Sequence, residues 1–258
     1  MNRTALTLPK RAAKPRSRGL TMVIDGGIPL GQFADLVELG AEYTDYVKFG
    51  WGTSVVTGCL REKIEVLDSW GIEFYFGGTL FEKFVLQGRF EDYRRFCAEY
   101  SCRHVEVSNG TIELSNAEKA GYIRKLAPDF TVVSEVGFKD PGRSEMLPPS
   151  EWVAAINEDL DAGASLVTLE ARESGKSGIC RPDGELRYGL IEDVLHAGIS
   201  LDKLLFEAPT TALQTHMISR IGADVNLGNV PATGVIGLET LRLGLRADTL
   251  TTFELPIT

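Results

Sequence analysis

Short runs of apolar and β-branched residues alternate along the chain with longer amphipathic stretches. The runs predict eight strands, at residues 21–25, 46–49, 73–77, 104–108, 131–137, 166–171, 203–208 and 224–227. The stretches between them predict helices at 32–40, 61–70, 90–100, 117–126, 149–162, 184–197, 211–221 and 238–245. Phe33, Leu36 and Val37 show the helical spacing of apolar positions, and Gly71, Gly163, Gly198 and Gly222 stand just past helix ends. Eight β-then-α units within 258 residues, close to the roughly 250 of such folds, imply the α/β class and a single-domain (β/α)8 TIM barrel. A doubly wound open sheet competes, but the turn Asp25-Gly26-Gly27-Ile28-Pro29 lacks the G-x-G-x-x-G spacing of a dinucleotide site.

Charge changes this picture at one end. Six of the 27 basic residues (Arg3, Lys10, Arg11, Lys14, Arg16 and Arg18) fall within residues 1–18, which hold no acid. That leaves 21 basic against 36 acidic residues, a net −15, for residues 19–258, the expected barrel. So acidic a body argues against nucleic acid as a partner. The basic segment reads as a disordered, solvated tail, with a docking or targeting arm as the alternative. No apolar run approaches the ~18 residues of a membrane span, so no membrane is expected. Cys59, Cys97, Cys102 and Cys180 form no C-x-x-C pair, and His104, His196 and His216 are not at ligand spacing, so no zinc site is expected. Scattered cysteines point to the cytoplasm. Association into a homo-oligomer carries no sequence motif and stays open.

In such a barrel alternate strand residues face inward, and chemistry gathers where the strands end. Most predicted strands carry polar residues late in the run, where an apolar residue is the default: Asp25, Lys48, Glu106 with Ser108, Glu135 followed by Lys139, Glu170 with Arg172, Glu207, and Asn226 with Asn229. One buried charge on a strand is ordinarily a paired structural residue. Several buried without partners would cost kilocalories each. The convergence therefore reads as a functional site, against a structural ion-pair network. Clustered carboxylates suit a hard divalent cation such as Mg²⁺, which stabilises negative charge on a carboxylate or enolate. A lysine whose pKa is lowered by burial suits acid–base work at carbon, and a Schiff base at Lys48 or Lys139 is a further option. Glycines at Gly77-Gly78, at Gly175 with Gly178, and at Gly228 either cradle a phosphate or make plain turns. His104 and His216 read as structural, Cys180 as a bystander, and Trp51 as a pocket wall or loop packing.

Several segments carry a family resemblance. They are Tyr46-Val47-Lys48-Phe49-Gly50-Trp51-Gly52-Thr53-Ser54, Gly77-Gly78-Thr79-Leu80-Phe81-Glu82, Val105-Glu106-Val107-Ser108, Ser134-Glu135-Val136-Gly137, Glu170-Ala171-Arg172-Glu173-Ser174-Gly175, Phe206-Glu207-Ala208-Pro209, Val225-Asn226-Leu227-Gly228-Asn229, Leu238-Glu239-Thr240-Leu241-Arg242, and Gly244-Leu245-Arg246. Across residues 19–249 the chain resembles the phosphosulfolactate synthase family, an early step of coenzyme M biosynthesis. The resemblance implies a (β/α)8 barrel that adds sulfite to phosphoenolpyruvate with Mg²⁺, giving (R)-phosphosulfolactate. It implies Lys139 as the acid that protonates the carbon beside the one sulfite attacks, with Lys48 and Glu135 also catalytic. Glu106, Glu135, Glu170, Glu207 and Asp25 are then expected at the metal. Arg172, Ser174, Gly175, Asn226, Gly228, Asn229 and Ser108 are expected at a small anionic phosphorylated substrate.

The chain departs from the family pattern at Gly26 and Phe138, where lysines are expected, at Asn109 in place of an aspartate, and at Thr210-Thr211, where polar or basic residues are usual. Two positive charges are thereby missing. The alternatives are a diverged member that joins another nucleophile to a phosphoenolpyruvate-like acceptor in specialised metabolism, or a non-catalytic stress-protection protein of the same fold.

Overall fold

The computed structural model describes residues 5–253. Eight strands, β1 (Thr21–Asp25), β2 (Tyr46–Phe49), β3 (Glu73–Phe76), β4 (His104–Val107), β5 (Thr131–Val136), β6 (Leu166–Leu169), β7 (Leu204–Glu207) and β8 (Leu227–Pro231), make one sheet in the order β3-β2-β1-β8-β7-β6-β5-β4. The paired strands run parallel. β3 and β4 lie side by side and close the circle, so the fold is the expected (β/α)8 TIM barrel in a single domain. At that seam the Cys102 thiol donates to Phe74 O (3.5 Å), and the Gly78 amide reaches Glu106.

The helices are α1 (Leu30–Gly40), α2 (Thr53–Val56), α3 (Leu60–Ser69), α4 (Gly78–Leu86), α5 (Phe90–Glu99), α6 (Asn116–Leu126), α7 (Pro141–Met146), α8 (Pro149–Asp161), α9 (Tyr188–His196), α10 (Thr211–Ile221) and α11 (Val235–Arg242). Each amphipathic stretch turns its apolar stripe onto the outer face of the strands, as Phe33 and Val37 of α1 do. A capping box sets the start of α6: the Ser115 side chain accepts from the Glu118 amide, and Glu118 reaches back to the Ser115 amide. Among the described residues no helix is long and apolar enough to cross a membrane.

Three differences from the sequence-based expectation bear on the site. First, α4 occupies a stretch read as a glycine turn. Gly77 is extended, and Leu80 and Phe81 then bury one face of a helix beginning at Gly78. Second, α9 starts at Tyr188 rather than at residue 184. The preceding loop is folded back by an antiparallel bridge between Cys180 and Leu186, and by the Arg187 guanidinium on Ser144 O (2.7 Å) and Leu147 O (3.0 Å). Third, β8 runs from Leu227 to Pro231, beyond the expected 224–227. Its pairing with β1 slips, Thr21 facing Leu227 but Val23 facing Val230, so β8 holds one extra residue in a bulge.

The basic segment expected as a solvated tail carries specific contacts within its described part. Arg11 donates to Asp224 (2.9 Å) and Glu239 (3.0 Å), Lys14 to Thr44 O (2.6 Å), and Arg16 to Asp45 (2.9 Å). These partners lie at the amino-terminal end of the barrel, away from the strand ends that carry the glutamates.

Candidate active site

The strand alternation that fills the barrel with Met22 and Leu205 places Lys48, Glu106, Glu135 and Glu207 on the inner wall one layer higher. Glu170 joins them from just past the end of β6. All four glutamates are at most 2% exposed and Lys48 is 5% exposed. The Lys48 ammonium lies 3.0 Å from Glu106, and 3.5 Å from both Glu135 and Glu207. Lys139, three residues beyond β5, turns back over the mouth, with its ammonium 2.6 Å from Glu135 and 2.7 Å from Glu170. Main-chain donors fix the remaining oxygens: Ala171 N to Glu207 (2.8 Å), Arg172 N to Glu170 (2.6 Å), and Gly78 N to Glu106. The cavity these groups surround is about 20 Å³.

Asn229 enters this ring because of the bulge. Its φ of 50° is the left-handed conformation that asparagine tolerates better than most residues, and it aims the side chain inward, where Nδ2 donates to Glu207. Asn229 is 4% exposed, and its Oδ1 has no hydrogen-bond partner among the described residues.

Burial raises the Glu106 carboxyl to about 7, against the opposing pull of Lys48. Burial and the neighbouring Glu135 and Glu207 charges push Glu170 well above the ordinary carboxylate range. Burial also opposes ionisation of Glu135, but Lys139 and Lys48 outweigh it and hold that carboxyl below its usual value. For both lysines burial favours the neutral amine, yet the carboxylates win and raise each well above the ordinary lysine value. The lysine lowered by burial, expected from sequence, is thus corrected: these lysines stay charged because each is shared among several carboxylates.

One oxygen each from Glu135, Glu170 and Glu207 lies within 4.8 Å of the others, an all-oxygen donor set of the kind hard divalent cations take. Asn229, whose amide oxygen has no partner among the described residues, lines the same cavity, and the set fits a magnesium-type ion.

A model of the family described as (2R)-phospho-3-sulfolactate synthase (ComA) matches residues 9–248. The chain belongs to the phosphosulfolactate synthase family. It is 47% identical over 249 residues to a phosphosulfolactate synthase of Bacillus subtilis (strain 168), covering 96% of this chain and 99% of that one. It is 40% identical over 254 residues to that of Methanothermobacter thermautotrophicus, covering 97% and 98% respectively. Among solved structures, the YdjI aldolase from Escherichia coli K12 shares the fold alone, with a TM-score of 0.53 at 12% identity over 84% of this chain and 76% of that one.

The structure does not bring every expected family residue to the ring. Asp25 follows the inward-facing Ile24 and therefore points into the helix layer, where it meets the Lys63 ammonium of α3 (2.5 Å) and accepts from Gly27 N and Ile28 N (2.8 Å each). Asn226 precedes β8 at the amino end, its Oδ1 accepting from Leu20 N (2.9 Å) and its Nδ2 donating to Leu204 O (3.0 Å). Gly228 is barrel wall: a Cβ there would lie 2.9 Å from Met22 and 3.0 Å from Leu205. Ser108 is engaged by Glu82 rather than facing the cavity. Arg172, Ser174 and Gly175 form a turn above the ring, closed by Gly175 N donating to Arg172 O (3.1 Å), with Ser174 exposed.

Sequence reasoning missed two residues. Glu82, buried on α4, accepts from Gly110 N (3.1 Å), Thr111 N (2.9 Å) and Ile112 N (3.0 Å), and so pins the loop after β4. Its signal was a lone acid within the apolar run Thr79-Leu80-Phe81-Glu82-Lys83-Phe84. Tyr75 is in register with Lys48, and its hydroxyl is buried without a partner among the described residues. The two departures from the family lysines lie outside the ring. Gly26 backs onto the Trp51 ring, and Phe138 stacks under Arg143 (4.2 Å) in a separate cleft of about 590 Å³ between α6 and α8.

Proposed function

We propose that this chain is a phosphosulfolactate synthase that joins sulfite to phosphoenolpyruvate with Mg²⁺. The observation that carries the reading is the convergence of four buried carboxylates and two charged lysines at the strand ends of a family member. In the reaction a C–S bond forms at the methylene carbon, electron density moves toward the substrate carboxylate, and one proton is added at the neighbouring carbon. Glu135, Glu170 and Glu207, with the Asn229 oxygen, are the groups that would hold the ion. Bound there, the ion supplies positive charge for the substrate carboxylate.

The residues of the chain do the rest. Lys139, at the mouth with its side chain 21% exposed, holds the proton that goes to carbon. Lys48 keeps Glu106 and Glu135 in place from below. Arg172, whose side chain is 41% exposed at the rim, is the cation for the phosphate, with Ser174 and Gly175 beside it. Gly26 and Phe138 do not line the ring cavity, so the missing lysines leave the carboxylate set and its two ammonium groups whole. This favours the family reaction over a changed nucleophile.

The test is turnover by the full-length protein with phosphoenolpyruvate, sulfite and Mg²⁺, followed by ³¹P NMR. A new phosphate-ester resonance that needs all three components is expected. Unchanged phosphoenolpyruvate in the presence of folded protein would overturn the reading.

A further inference from the structure

We infer that Lys139 is the resident cation of the carboxylate cage, holding with its own ammonium the place a divalent ion takes, and that it must swing out toward the substrate when the ion enters. The inference rests on the metal reading proposed above.

Occupancy is the first ground. Lys139 lies 2.6 Å from Glu135 and 2.7 Å from Glu170, two of the three carboxylates whose oxygens come within 4.8 Å of one another. The space left beside Lys139, about 20 Å³, has room for about one water-sized centre. A divalent ion drawn to this trio competes with the Lys139 ammonium for two of the same carboxylates.

Charge is the second ground. Four carboxylates face two ammonium groups in a buried site. A divalent ion added beside both lysines would put three cations within a few ångströms of one another, and like charges that close repel. Departure of one lysine removes most of that repulsion.

Geometry selects which lysine leaves. Lys48 is built into β2, paired on both sides by β1 and β3, and its nearest carboxylate is Glu106, outside the trio. Its side chain is 7% exposed. Lys139 lies past the end of β5, and its side chain, 21% exposed, borders the mouth. Lys139 alone of the two has open space to move into. Loading is then ordered: the cation enters first, and its entry delivers a free ammonium to the side from which the phosphorylated substrate arrives.

The experiment measures Mn²⁺ binding to the full-length protein by EPR of the free ion. Lys139→Met is expected to tighten binding by at least about tenfold, Lys48→Met by clearly less, and Lys139→Arg to stay within about threefold of wild type. Lys139→Gln, which keeps a donor without the charge, serves if the methionine variant folds poorly, and is expected to tighten binding as well. Unchanged or weaker Mn²⁺ binding in both neutral variants overturns the inference. If wild type binds Mn²⁺, and loses it in Glu207→Gln, while the Lys139 variants do not tighten, only the lysine inference falls. If neither wild type nor Lys139→Met binds Mn²⁺, the metal reading falls with it.

Discussion

The two ends of the barrel both bury charge, and they do so differently. At the amino end cations meet their own fixed partners. Arg242, fully buried, donates to Val225 O (2.7 Å), Leu20 O (3.1 Å) and Ala223 O. Arg11 spans Asp224 and Glu239, and Arg16 takes Asp45. At the carboxyl end four carboxylates surround two lysines, every cation is shared, and an amide oxygen is left over. The first pattern fastens the N-terminal segment and β8 to the barrel floor. The second crowds four carboxyl groups around two lysines at one point, on rigid strands, and burial there pushes Glu106 and Glu170 up. Titratable groups that are crowded, perturbed and convergent on a cavity mark a site prepared for a ligand, whereas cations that each hold fixed local partners mark a fastening.

The largest effect expected to sharpen this contrast is at Lys139. Lys139→Met should lower kcat by about 10²- to 10⁴-fold, the range of a lost general acid, in a steady-state assay with phosphoenolpyruvate and sulfite. At the other end the effect should fall on stability. Arg242→Met strands buried carbonyl groups and should cost about 3 kcal/mol in urea unfolding, while kcat stays within about twofold of wild type. Equal loss of activity in both variants would break the comparison.

A smaller effect follows from Glu106. Below its ordinary value near 4.5 both folded and unfolded states hold the proton. Between there and about 7 the folded state holds it and the unfolded state does not. The contribution of this group to stability is therefore lost as pH rises through that window. Denaturant melts across it should show wild type losing stability with rising pH, and Glu106→Gln should flatten the slope. Smallest is Arg11→Ala, expected to cost about 1 kcal/mol by thermal melting, with the ring chemistry unaffected.

The strands were legible because a buried β-run announces itself, and Lys48, Glu106, Glu135 and Glu207 because a charge inside such a run is conspicuous. Facing was harder to read. Whether Ile24 or Asp25 points inward depends on register, and Asp25 looked like a ring member until the partner on α3 was placed. The β8 bulge defeats alternation outright: one extra residue turned Asn229 inward and left Asn226 at the opposite end. α4 was hidden by the two glycines that open it, and with it Glu82. The contacts of Arg11, Lys14 and Arg16 join residues far apart in sequence, and no local pattern encodes them.

Whether the crowded carboxyl-end ring is kept for chemistry is tested most directly by a paired measurement of kcat and melting temperature on Glu170→Gln. The substitution keeps an acceptor for Arg172 N and removes one of the crowded carboxylates. For a ring kept for chemistry, kcat falls by at least about 10²-fold while the melting temperature holds or rises. Activity within about twofold of wild type, with a melting temperature lowered by about 4 °C or more, would make the ring a structural network and contradict it.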